Sequence, residues 1–160
     1  MNDADRVPRF LVVDASVSLK WVLDDEVEVA SSVALRDDGA RGRIQTIAPS
    51  LWVYEVTNAL VVARRRGRMD SEQSRRALEL LQDLGPRMAD PEPENCLELA
   101  AKLEISGCDA AYVALADALG AELWTGDRKL FEKVRDQADL VRWIGDYPTG
   151  GPAQGPAPRR

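Results

Sequence analysis

The segment FLVVDASVSLKW, residues 10 to 21, runs four apolar residues into a carboxylate and then changes its hydrophobic spacing. FLVV is short and apolar throughout, which is the pattern of a strand buried on both faces; ASVSLKWVL fits a helix with Val17 and Leu19 to Val22 partly buried. The strand-to-helix junction falls on Asp14. A strand that feeds a helix this directly is the opening of a βα unit, and a chain built on such units is committed to a parallel sheet.

The remaining sequence continues the alternation. EVEVASSVALRDDG has apolar residues at helical spacing and reaches a candidate C-cap at Gly39; RIQTIAP offers a brief strand. LWVYEVTNALVVARRR reads as a long helix with Ser50 as N-cap and Gly67 at its end. MDSEQSRRALELLQDLGP reads as its hairpin partner, capped by Asp70 or Ser71 and closed by Gly85-Pro86. RMAD is a candidate strand, PEPENCLELAAKLEISG and DAAYVALADALG are helices, AELWT (121–125) is a strand, GDRKLFEKVRDQ a helix and DLVRWI a last strand. The predicted architecture is an α/β fold whose mostly parallel central sheet is covered by helices on both faces. PTGGPAQGPAPRR, after Tyr147, is Pro- and Gly-rich and is expected to be a disordered tail.

Composition narrows the chemistry. At 160 residues with 45% hydrophobic content the chain can build one domain core without staples. Its net charge of −6 repels polyanions overall, so a nucleic-acid partner must be held locally. No apolar run approaches the ~18 residues of a membrane span and no leader pattern is visible, so a cytosolic location without a membrane partner is expected. The two cysteines, Cys96 and Cys108, have neither disulfide-framework nor metal-knuckle spacing and are expected to be small core residues. Histidine is absent, which removes the commonest general base, the Ser-His and Cys-His mechanisms and most zinc sites. Carboxylates, hydroxyls, lysines or a hard metal must carry any chemistry.

Four acids stand where such chemistry could gather. Ligands of open parallel sheets bind at the carboxyl ends of strands. Asp14 follows the first strand, and Asp127 follows AELWT in the sequence TGD, where Thr125 offers a hydroxyl and Gly126 a turn. Each also precedes a helix, and for either residue alone N-capping is the favoured reading. Glu55 lies on the apolar stripe of its helix, where a carboxylate needs either a cationic partner or a function. Asp109 opens the helix after Gly107, as a cap or as a first-turn carboxylate facing a site; Asp117 on the same helix reads as peripheral. If the four converge, a divalent cation must offset their repulsion, and an oxygen-only set points to Mg²⁺ or Mn²⁺. Such a site lowers the pKa of water and clamps phosphate oxygens, making phosphodiester hydrolysis the natural reaction.

VVDASVSLKW, LWVYEVTNAL and ISGCDAAYVALADALGAELWTGDRKL together resemble the PIN-domain ribonucleases, in particular VapC toxins of toxin–antitoxin pairs, in order, spacing and local context from about Phe10 to Trp143. The resemblance implies a Rossmann-like three-layer α/β/α sandwich over residues 1–147, with the tail at 148–160 outside it. It also implies an acidic Mg²⁺ or Mn²⁺ site and cleavage of RNA by a metal-activated water. Asp14 matches the strand-end aspartate of the family, Glu55 the helix glutamate, Asp109 the helix-start aspartate and Asp127 the aspartate of the T-x-D stretch. Asp14, Glu55 and Asp109 are thereby the stronger metal ligands, with Asp127 acting directly or through water. Ser16 and Thr125 match hydroxyl positions that help hold ligands or substrate. A homodimer and a small antitoxin, seated in an apolar groove walled by the helices of residues 50–66 and 71–84, are the implied partners.

Beyond the motif, Lys20, Arg128 and Lys129 lie near the predicted carboxyl edge and are candidate contacts to RNA backbone, while ARRRGR (63–68) fits the C-terminal end of a helix dipole. Trp21, Trp52 and Trp124 read as core before base-stacking. A phosphatase using an aspartyl nucleophile requires D-x-D, and Ser16 occupies the third position. A dinucleotide-binding module requires a glycine-rich first turn, which DASVSLKW lacks. A catalytically weak interaction module on the same fold is the remaining alternative.

Overall fold

The computed structural model describes residues 7–23 and 27–150. Its sheet is five-stranded in the order β3-β2-β1-β4-β5, where β1 is Arg9–Val13, β2 Ile44–Ala48, β3 Arg87–Met88, β4 Glu122–Thr125 and β5 Val141–Trp143. Every neighbouring pair is parallel. Among the described residues seven α-helices connect them: α1 (Ala15–Leu19), α2 (Val29–Ala40), α3 (Leu51–Arg65), α4 (Ser71–Leu84), α5 (Pro93–Leu103), α6 (Gly107–Leu119) and α7 (Arg128–Val134). Among the described residues no helix is long and apolar enough to cross a membrane.

The apolar run of β1 divides by strand periodicity, as a strand covered on both faces must. Val12 packs into a cluster with Trp52, Val56 and Leu60 of α3, Leu81 of α4, Tyr112 and Leu115 of α6 and Leu130 of α7. Leu11 and Val13 point the other way, toward Leu35 of α2, Trp124, Ile144 and Tyr147. The result is the predicted α/β sandwich, with one face covered more heavily than the other. Trp52 and Trp124 are buried core residues, and the Trp21 indole donates to Ser32 O at 3.0 Å.

Several element boundaries differ from the sequence expectation for identifiable reasons. The first helix stops at Leu19 instead of continuing to Leu23, and the chain proceeds through turn hydrogen bonds such as Trp21 N to Ser18 O at 3.0 Å. Its serines serve distant elements: Ser18 Oγ accepts from the Trp52 indole at 3.2 Å and Ser16 Oγ from Gly126 N at 2.9 Å. Gly39 lies inside α2, and Gly42, at φ 71°, makes the turn after it. Ser50 has helical backbone angles and gives no side-chain cap; Asp90, arriving from the loop after β3, accepts from Ser50 N at 2.8 Å in its place. α6 starts at Gly107 with Ser106 as N-cap, so Asp109 sits inside its first turn. Cys108 is exposed and Cys96 half-buried, so neither is a core residue. The tail expected over 148–160 falls largely outside the described residues, which end at Gly150.

Candidate functional site

The strand order reverses direction around β1 and β4, the topological switch at which open parallel sheets bind ligands. Asp14 and the Thr125-Gly126-Asp127 turn leave those two strands side by side, tied by Asp14 N to Trp124 O at 3.1 Å. Asp14 is buried, with Oδ1 accepting from Ser16 N at 3.3 Å and Oδ2 from the Thr125 hydroxyl at 2.7 Å. Thr125 is itself fully buried, and its Oγ1 accepts from Asp127 N at 3.0 Å. The two hydroxyls therefore spend their hydrogen bonds on holding Asp14 and the turn. Asp127 is exposed and caps α7, accepting from Leu130 N at 3.0 Å. Capping and site placement coincide at both aspartates: Asp14 is the N-cap of α1.

Glu55 and Asp109 come to the same rim from α3 and α6. Burial raises the Glu55 carboxyl from 4.5 to about 7; the charges of Asp14 and Asp109 add to the rise and the Tyr112 hydroxyl opposes it. Burial likewise pushes Asp14 above the usual carboxylate range against the bonds from Thr125 and Ser16, with Asp109 adding to the rise. Asp109 is raised by burial and by Asp127, while Ser106 pulls it down. Asp14, Glu55 and Asp109 thus each feel at least one other acid, and Asp127 acts on Asp109, which places all four in one electrostatic neighbourhood.

The donor set suits a hard divalent cation: carboxylates only, mutually repelling, with Glu55 Oε1 buried and without a hydrogen-bond partner. Among the described residues no three acidic or cysteine side chains already form a cation cage, so the acids are coupled by their fields without being drawn together around one point. Asp117 is exposed at the far end of α6, as its peripheral reading requires.

The candidate RNA contacts separate. Arg128 is exposed, with its guanidinium 4.2 Å from the centre of the Trp143 ring, and Lys129 is exposed beside it. Lys20 is only 3% exposed, which removes it from direct contact with a polymer backbone. Its stem fills the space over Gly126, where a Cβ would lie 2.6 Å from Lys20 Cε. The arginines of 63–68 stand at the far end of α3, roughly 15 Å along the helix from Glu55 by helical rise.

Tyr112 is the residue that sequence reasoning missed. Its hydroxyl is buried against Asp14, Glu55 and the Ala15 backbone, and burial followed by the two carboxylates pushes its ionisation far up. The signal was its spacing, three residues beyond Asp109 and hence on the same helical face.

Comparison with known proteins fits this geometry. A profile of the PIN domain matches residues 11–137. The chain belongs to the PIN-domain family. This PIN domain is 34% identical over 127 residues to Ribonuclease VapC3 of Pyrobaculum aerophilum, spanning 77% of the chain and 93% of the relative. It is 31% identical over 90 residues to Exonuclease VapC9 of the same organism, spanning 56% and 68%. Two solved structures share the fold. PAE2754 from Pyrobaculum aerophilum has a TM-score of 0.64 at 23% identity, covering 86% of this chain and 91% of that one. VapBC-1 from nontypeable Haemophilus influenzae has a TM-score of 0.55 at 19% identity, covering 84% and 96%.

Proposed function

We propose that this PIN domain is a Mg²⁺- or Mn²⁺-dependent endoribonuclease and the toxin of a type II toxin–antitoxin pair. What supports the reading is the electrostatic coupling of Asp14, Glu55 and Asp109 near the β1/β4 switch, with Asp127 acting on Asp109 and three of the carboxyls raised by burial and by nearby acids. Asp14, Glu55 and Asp109 would hold the cation, and Asp127 would join them directly or through water. When bound, the ion supplies charge neutralisation at a phosphate oxygen and a lowered pKa for water, the two things a chain without histidine lacks.

The protein's own groups do the rest. Thr125 and the Ser16 amide hold Asp14 in one rotamer, so little reorganisation is needed when phosphate arrives. The exposed Arg128, steadied on Trp143, offers a guanidinium for backbone phosphate beside the acids. The name of Ribonuclease VapC3 supports RNA as substrate, and the likeness to VapBC-1 supports an antitoxin partner. A homodimer is part of the same proposal, as is a cytosolic place of action.

One relative carries the name exonuclease, which favours attack from chain ends as a second reading. Circular single-stranded RNA separates the two. Linearisation in Mg²⁺ or Mn²⁺ but not in EDTA is expected; an intact circle alongside degraded linear RNA would establish the exonuclease reading instead.

A further inference from the structure

We propose that Tyr112 is a positioning residue for Glu55, its hydroxyl held in reserve as the donor to the buried Oε1 when that carboxylate binds a divalent cation. The inference rests on the cation reading of the four acids and adds a residue to it.

The Tyr112 side chain is 1% exposed, and its hydroxyl and Glu55 Oε1 are the two buried side-chain polar atoms without a hydrogen-bond partner among the described residues. Native interiors rarely leave such groups unpaired, because their lost hydration is then uncompensated. Here a donor and an acceptor are orphaned together, and they lie within one another's electrostatic reach. The surroundings restrict what the hydroxyl can do. The charged groups that act on the phenol are the carboxylates of Asp14 and Glu55, and either could accept its hydrogen. Both Asp14 oxygens already accept, from Ser16 N and from Thr125. Glu55 Oε1 is the acceptor left over. A carboxylate that gives one oxygen to a cation needs a donor on the other to fix its plane, and partners of this kind typically govern metal affinity tenfold or more.

Tyr112→Phe keeps the ring and removes only the donor. Binding of Mn²⁺, measured by calorimetry on the full chain, is expected to weaken about tenfold, while the melting temperature without metal stays the same or rises. In a Glu55→Gln background the same change should cost no further affinity, because the anionic acceptor is gone. In wild type, adding Mg²⁺ should move the ring ζ-carbon resonance of Tyr112 and leave that of the exposed Tyr54 in place; this readout stands even if the variant folds poorly. Equal Mn²⁺ affinity of wild type and Tyr112→Phe, additive losses in the double variant, or an unmoved Tyr112 resonance in metal-bound protein would each overturn the inference while leaving the cation site intact. Absence of Mn²⁺ binding by wild type would overturn both.

Discussion

Thr125 shows how much one buried hydroxyl carries: it donates to Asp14 Oδ2 and accepts from Asp127 N, joining the two strand-end acids through a single atom. Thr125→Val fills the same space without the hydroxyl and leaves both groups searching for partners. It should cost about 1–3 kcal/mol in urea unfolding; an unchanged midpoint would mean the hydroxyl holds nothing. Glu55 makes the site pH-sensitive. Folded, it keeps its proton up to about 7, whereas the unfolded chain releases it near 4.5. The folded state therefore binds the extra proton between those values, and its contribution is complete below 4.5 and is lost as pH climbs through 7. The buried Asp14 and half-buried Asp109 act with the same sign. Metal-free protein should melt lower at pH 8 than at pH 5, and Glu55→Gln should flatten that slope, by on the order of 1 kcal/mol after discounting for partial exposure. A melting temperature that rises over this range would contradict the placement. All four acids stood out in the sequence: Glu55 because a carboxylate on an apolar stripe violates the local pattern, and Asp14, Asp127 and Asp109 by their places at two strand ends and a helix start, where capping alone would also explain them. Tyr112 did not, because a buried aromatic on an apolar helix violates nothing.

Among the elements, the turn after α4 is the most tightly constrained. A Cβ on Gly85 would stand 2.4 Å from Leu81 O and 2.9 Å from the Trp52 ring, so this glycine is required by close approach and not by its backbone angle. Gly85→Ala must displace either the last turn of α4 or the α3 tryptophan beneath it. A loss of about 1–3 kcal/mol in chemical denaturation is expected; a neutral effect would show that the α3–α4 hairpin yields at this point. The position of this glycine after the helix was legible as a stop signal, but its contact with Trp52 was not. The same holds for α1 and α3. The shortness of α1 follows from Ser16 and Ser18 bonding to residues 110 and 34 positions away, and the cap of α3 comes from Asp90, 40 residues on. Local propensity cannot announce such partners.

At the scale of the whole molecule, alternation of strands and helices was enough to foresee a parallel sheet, while the order β3-β2-β1-β4-β5 was not, since every apolar strand is an acceptable neighbour for every other. That order brings the acids into one electrostatic neighbourhood, because it sets β1 beside β4. On the proposed function, the whole-molecule charge of −6 would oppose RNA until a cation offsets the acids. Cleavage of a defined single-stranded RNA by wild type and Asp14→Asn, each with Mg²⁺, Mn²⁺ and EDTA, is the sharpest test. Wild type should cut with either ion and stop in EDTA, and the variant should fall by about a thousandfold, the equivalent of a few kcal/mol of lost transition-state stabilisation. Equal cleavage by the two proteins, or wild-type cleavage undiminished by EDTA, would contradict a metal-dependent site founded on Asp14.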